Sequence, residues 1–153
     1  MRRLILLLIA VGSLVLTDAA HAATGKIIKV LPHFLDTKGR NAKSPSLFDR
    51  DAYQAWLREN PAQRGGIRYD IQWRAREVAG KLILRVELRG IAEGKKPREQ
   101  KLETEVKTGS GLARWSELAL QGDDYKAFGE VTAWRVTLWE GDQLVAEQAS
   151  YLW

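Results

Sequence analysis

The chain has 153 residues, 24 of them basic and 19 acidic, with two histidines, six tryptophans and no cysteine. The missing thiols exclude disulfides, cysteine nucleophiles and cysteine metal ligands, so packing alone must hold the fold. The net charge of +5 is mild, and the densest basic stretch, Lys95-Lys96-Pro97-Arg98, is broken by proline and flanked by Glu93 and Glu99; nucleic-acid binders gather such charge on one face or stripe, so no nucleic-acid partner is expected.

Arg2 and Arg3 give a basic start, Leu4 to Leu16 is apolar but for Gly12 and Ser13, and Ala20-His21-Ala22 offers small residues for a peptidase. That three-part pattern predicts a secretory signal peptide over residues 1–22. Its apolar run falls short of the ~20 residues that a membrane helix needs. Cleavage after Ala22 would leave one domain, residues 23–153, exported to a periplasm or the exterior and without stable membrane insertion. The leader removes Arg2, Arg3 and Asp18, which leaves 22 basic and 18 acidic residues.

Lys26 to Leu31 reads as a strand, ended or pushed to an edge by Pro32. Residues 36–65 read as an insert, a turn-rich loop followed by a helix from Leu47 to Glu59. Ser46 caps that helix, Asp49 approximates a capping box, and Asn60-Pro61 stops it. Phe48, Ala52, Ala55 and Trp56 share one helical face, which predicts docking through Phe48 and Trp56.

The period then changes to two. Ile67, Tyr69, Ile71, Trp73 and Ala75 alternate with polar residues, and Leu82, Leu84, Val86 and Leu88 do the same. The two are expected to pair as an antiparallel hairpin with one wet face, which carries Arg68, Asp70, Arg74, Arg85, Glu87 and Arg89. A polar loop over 91–100 leads to a strand at Leu102 to Val106, and another strand runs from Trp115 to Leu120. Gln121 to Asp124 reads as a turn, and Tyr125 to Gly129 as a corner or one helical turn. Trp134 to Leu138 pairs with the last segment through a Gly141-Asp142 turn. That register sets Leu138 opposite Val145 but puts Glu147 beside apolar Val136, and a slip of one residue would swap every side chain's face. The last strand is expected to reach Trp153 as a plug on the core.

Seven short strands bounded by turns, with one short inserted α-helix, predict an all-β antiparallel β-sandwich. Leu118 to Phe128 carries an acidic turn followed by Tyr125, and Trp73 lies on the strand after the helix. In these features the chain resembles immunoglobulin-like and fibronectin-type-III-like sandwiches, as found among small exported bacterial proteins. The resemblance implies that Tyr125 ties a corner to nearby backbone through its hydroxyl and that Trp73 is the central core ring. The chain departs from the family in lacking a cysteine pair and in carrying the insert. Such a fold hosts many functions.

His33 could serve as a general base with Asp36, but no G-x-S-x-G motif supplies a nucleophile and a strand-end structural histidine is the better reading. One histidine after the leader and no cysteine leave no zinc site, and Asp49/Asp51 and Asp123/Asp124 read as capping and turn residues rather than calcium ligands. No catalytic residue, metal or cofactor is expected. The expected function is a non-enzymatic binding or assembly module of the bacterial envelope, whose protein partner docks on residues 36–65 or adds a strand to an edge. The alternative is a carbohydrate-binding module that stacks an envelope polysaccharide on Tyr53, Trp115 or Trp139, the aromatics not clearly on an apolar face. A small hydrolase using His33 is the third reading.

Overall fold

Alternating apolar residues drive the chain into seven antiparallel strands, and the computed structural model describes residues 22–107 and 111–153. The expected leader therefore lies outside the described residues, apart from Ala22. In chain order the elements are β1 (Thr24–Asp36), α1 (Leu47–Glu59), β2 (Arg64–Arg76), β3 (Leu82–Ala92), β4 (Lys96–Val106), β5 (Arg114–Gln121), α2 (Gly122–Phe128), β6 (Glu130–Glu140) and β7 (Gln143–Ala149). Two sheets form, one ordered β1-β2-β5 and the other β4-β3-β6-β7. These are sheet A and sheet B below. The fold is an all-β sandwich.

The core is made where the inner faces meet. Tyr69, Ile71 and Trp73 of β2, Leu84, Val86 and Leu88 of β3, and Val136 and Leu138 of β6 are all essentially inaccessible. Each large apolar side chain buried this way contributes about 1.5–3 kcal/mol. Trp73 is the core ring expected of it, and its indole N–H donates to Ser116 Oγ at 2.9 Å. Trp134 packs edge-on against Tyr69, with ring centroids 6.2 Å apart.

Four expectations are corrected. First, β2 and β3 do not form a hairpin. The link from Glu77 to Lys81 crosses between the sheets, so their apolar faces meet through the core and their polar faces point opposite ways. Alternation shows that a strand has one wet face but not which neighbour it pairs. Second, the loop over 91–100 is mostly strand. A short turn at Glu93–Lys95 joins β3 to β4, whose first residues are exposed on both sides and so carry no periodicity.

Third, the final hairpin keeps the Gly141-Asp142 turn and the Glu140–Gln143 pair, but a bulge inserts Val145. Beyond it Leu138 faces Ala146 and Thr137 faces Glu147. The bulge removes the conflict between Glu147 and Val136 and turns Val145 toward the close approach at Gly25, where even a Cβ would meet it at 2.6 Å. Fourth, β7 stops at Ala149. The backbone N–H of Ser150 donates to the Trp134 carbonyl, and Ser150 Oγ accepts from Trp134 N–H. The last residues then fold over the outer face of sheet B. Trp153 lies there between the Arg89 and Arg135 guanidinium groups, 4.1 and 4.9 Å from its ring, and is not a core plug.

The corner over 122–129 is a two-turn helix, α2, that buries Tyr125 and Phe128. Burial raises the Tyr125 pKa, an effect that the nearby Arg64 guanidinium partly offsets.

Candidate functional site

Asp36 ends β1 and organises the insert. The motif Asp36-Thr37-Lys38-Gly39-Arg40 turns sharply, with Gly39 at φ 75°, and its carboxylate collects the donors of the turn. It accepts from Lys38 N–H at 2.8 Å and from Arg40 N–H at 2.9 Å. The Arg40 Nε also donates at 2.9 Å and the Tyr53 hydroxyl at 2.8 Å. Burial alone would raise the Asp36 pKa, but these hydrogen bonds outweigh it and hold the group well below the usual carboxylate range.

Helix α1 is placed by polar contacts at both ends and in its middle. Ser46 caps it as expected, accepting from Asp49 N–H, and Ser44 Oγ donates to the Asp49 carboxylate at 2.6 Å. Asn60 Nδ2 donates to the Trp56 carbonyl, while Arg64 donates to the Leu57 and Arg58 carbonyls. A cation there suits the negative end of the helix. The same guanidinium lies 4.0 Å from the Phe34 ring centre. In the middle, Gln54 acts as a substitute strand partner. Its Oε1 accepts from Phe34 N–H at 2.8 Å, and its Nε2 donates to the Phe34 carbonyl at 2.9 Å and to the Asn41 carbonyl at 2.7 Å. Part of the β1 edge is thereby closed.

The helix thus docks through Tyr53, Gln54 and Leu57, not through Phe48 and Trp56. Leu57 is wholly buried, whereas Phe48 is 81% exposed and Trp56 41% exposed. Periodicity had marked the other face, because Gln54 and the Tyr53 hydroxyl dock by hydrogen bonding and carry no apolar signal. The face carrying Phe48, Ala52, Ala55 and Trp56 looks outward. Leu47 adjoins it, and charges of both signs edge it: Asp49, Asp51 (paired with Arg50), Glu59, Arg58 and, over Trp56, Lys43. On its flank Trp56 stacks on Tyr53, with centroids 5.6 Å apart and planes 8° from parallel. Lys43 Nζ sits 4.7 Å from the Tyr53 ring centre and 5.5 Å from that of Trp56. Lys43, Ser44, Asp49, Ala52, Tyr53 and Trp56 line a shallow cleft of about 350 Å³ there.

The three aromatic candidates are not brought together. Tyr53 is a buried anchor, only 7% exposed, so it is not the open ring the sequence suggested. Trp115 stands 52% exposed and pairs with Gln72, on the outer face of sheet A. Trp139 is half-buried on the opposite side of the molecule, beneath Arg85, whose guanidinium lies 5.2 Å from its ring centre. No common platform can include them.

His33 does not meet Asp36. It is nearly buried, and its Nε2 lies 3.4 Å from Asp70, which Arg68 also holds. Burial lowers the His33 pKa, an effect that Asp70 only partly offsets. Asp51 pairs with Arg50, and Asp123 and Asp124 sit in the first turn of α2. Among the described residues no group of three or more His, Asp or Glu is placed to hold a metal, and no helix is long and apolar enough to cross a membrane.

No protein-family model matches the chain, and no curated protein sequence does. A crystal structure of a protein from Akkermansia muciniphila is similar in fold, with a TM-score of 0.53 over 84% of this chain and 70% of that one. The two share 9% sequence identity, so the likeness speaks of the fold alone.

Proposed function

We propose that the chain is a non-enzymatic, exported binding module of the bacterial envelope that docks a protein partner on the outward face of α1. The reading is carried by one observation. The apolar stripe of α1, from Phe48 to Trp56, faces solvent while a different face holds the helix down. Singly exposed apolar residues need no explanation, but a contiguous stripe rimmed by polar groups marks a contact surface. The surface fits a partner with an apolar groove that takes Phe48 and Trp56, edged by polar groups that meet charges of both signs.

Other edges are less open to strand addition. Gln54 closes part of β1, β7 carries a bulge, and β4 bears Pro97 and six charged residues before Val106. The strand order supports an immunoglobulin-like or fibronectin-type-III-like reading of the sandwich, and the basic, apolar, small-residue start supports export.

Photo-crosslinkers placed at Phe48 and at Ala55 in the living cell test the proposal. One protein should be captured at both positions, be recovered in the reciprocal direction, and be lost in an Ala55→Glu variant that melts normally. Adducts absent there, or equally abundant from a crosslinker at Glu105 on sheet B, would overturn it.

A further inference from the structure

The rows of sheet A's outer face divide into two halves. Nearest α1 run the rows His33–Arg68–Ala119 and Leu31–Asp70–Glu117, in which Arg68 pairs with Asp70 at 2.8 Å and with Glu117 at 3.6 Å. The next row is Lys29–Gln72–Trp115, and beyond it come Lys26 opposite Arg74 and Thr24 opposite Arg76. Among the described residues, none of Lys26, Lys29, Arg74 and Arg76 forms an ion pair. The acids closest along the sheet, Asp70 and Glu117, are engaged by Arg68, and Glu77 lies exposed in the turn after Arg76. All four cations are exposed, as is Trp115, whose ring no aromatic or cation covers among the described residues.

This half is unfavourable for the fold on its own. Like charges directly opposite each other on neighbouring strands destabilise a sheet, and Lys26 faces Arg74 in this way. It also leaves the large indole of Trp115 open to solvent. The arrangement makes sense as a surface for a ligand that brings both negative charge and a flat apolar face.

We propose that this face binds an acidic polysaccharide. One sugar ring stacks on Trp115, the Gln72 amide meets hydroxyl groups, and Lys26, Lys29, Arg74 and Arg76 meet the polymer's anionic groups. Neighbouring strands lie about 4.8 Å apart, so the Lys29–Gln72–Trp115 row spans roughly 10 Å, a chain-sized track. Two other anionic partners fit less well. Proteins that hold single-stranded nucleic acid stack successive bases on several aromatics, and this face offers one. A membrane surface calls for an apolar segment that can sink below the headgroups, whereas Trp115 and Ile28 rise from paired strands. The surface lies apart from α1's outward stripe, so the two readings stand or fall separately.

The test is a fluorescence and affinity-electrophoresis titration of the mature protein, purified as the cell leaves it, with polygalacturonate and with sulfated dextran. At least one should bind, with a tryptophan signal and an affinity that falls steeply as salt rises. Trp115→Ala should abolish the signal and weaken binding about tenfold. Lys29→Gln/Arg74→Gln should weaken it and flatten the salt dependence, while Trp139→Ala and Arg89→Gln on sheet B leave it unchanged. The proposal is overturned if neither polymer binds, if the sheet B variants lose binding equally, or if methyl-esterified polygalacturonate binds as well as the acid. It is also overturned if phosphatidylglycerol vesicles or oligothymidylate bind more tightly through the same residues.

Discussion

The two outer faces of the sandwich have similar side chains and opposite economies of charge. On sheet B the charged residues form a ladder. Arg135 binds Glu87 at 2.7 Å, Arg85 and Lys101 share Glu103, Arg89 reaches Glu99 and Lys81 reaches Glu105. Its tryptophans are covered too, Trp139 by Arg85 and Trp153 by Arg89 and Arg135. On sheet A the half away from α1 leaves its cations without ion pairs among the described residues, and Trp115 open. A face whose charges and rings satisfy one another is a solvated wall; a face that leaves both unsatisfied is where the proposed polysaccharide would bind. The remaining half of sheet A is different again, closed by α1 with buried polar contacts.

The largest effects are expected where α1 closes sheet A. Leu57→Ala should cost about 3 kcal/mol, the range for emptying a fully buried leucine site, read by thermal or denaturant unfolding. A loss under 1 kcal/mol would mean that α1 is loosely held and that the covered and open halves do not differ. Asp36→Asn should cost about 2 kcal/mol, because a buried carboxylate with four donors becomes an amide with one acceptor. Its pH dependence has a definite sign. The Asp36 pKa is depressed in the folded state, so its stabilisation is present above the unfolded value of about 3.9 and is lost as pH falls through the folded value. The wild type should lose stability with acid faster than Asp36→Asn does, with the Tyr53–Trp56 stack giving the optical signal. Equal acid sensitivity would remove Asp36 from its role.

Much of the frame was legible, and the reasons separate cleanly. Ile67 to Ala75 and Leu82 to Leu88 alternate because each packs one face on the core, so strand identity and the place of Trp73 could be read directly. Ser46 and Asn60-Pro61 mark α1 because caps are local chemistry. What could not be read depends on partners far along the chain. Gln54 docks only because the Phe34 edge is open, and Trp153 finds its place only because Arg89 and Arg135 stand side by side on paired strands. The basic half of sheet A was hidden for the same reason. Lys26, Lys29, Arg74 and Arg76 are dispersed in sequence and become neighbours through the β1–β2 register. The carboxylate turn Asp36-x-Lys38-Gly39-Arg40 did carry a local signal, an acid three residues before a glycine, and could have been found.

Smaller effects test the ladder. Trp153→Ala should cost about 1 kcal/mol by releasing two exposed cation–π contacts, those with Arg89 and Arg135. Glu87→Gln should cost about 0.5 kcal/mol, because its pair with Arg135 is partly solvated. Adding 1 M salt should shrink the second loss more than the first. A large, salt-insensitive cost for Glu87→Gln would make the ladder a structural necessity and weaken the contrast with sheet A.

The smallest effect has the opposite sign and bears most directly on the comparison. Arg74→Glu places a carboxylate opposite Lys26 and one position from Lys29's row, which turns a repulsive cross-strand pair into an attractive one. It should stabilise the protein by roughly 0.5 kcal/mol, the scale of such pairs. The same reversal on sheet B, Arg135→Glu, breaks the pair with Glu87 and should destabilise by a similar amount. One charge reversal would then raise the melting temperature on one face and lower it on the other. A protein that gains stability by losing Arg74 keeps that residue at a cost to its fold, and the polysaccharide titration says what the residue is kept for. If Arg74→Glu destabilises instead, the cations of sheet A are already compensated within the chain, and the two faces are alike.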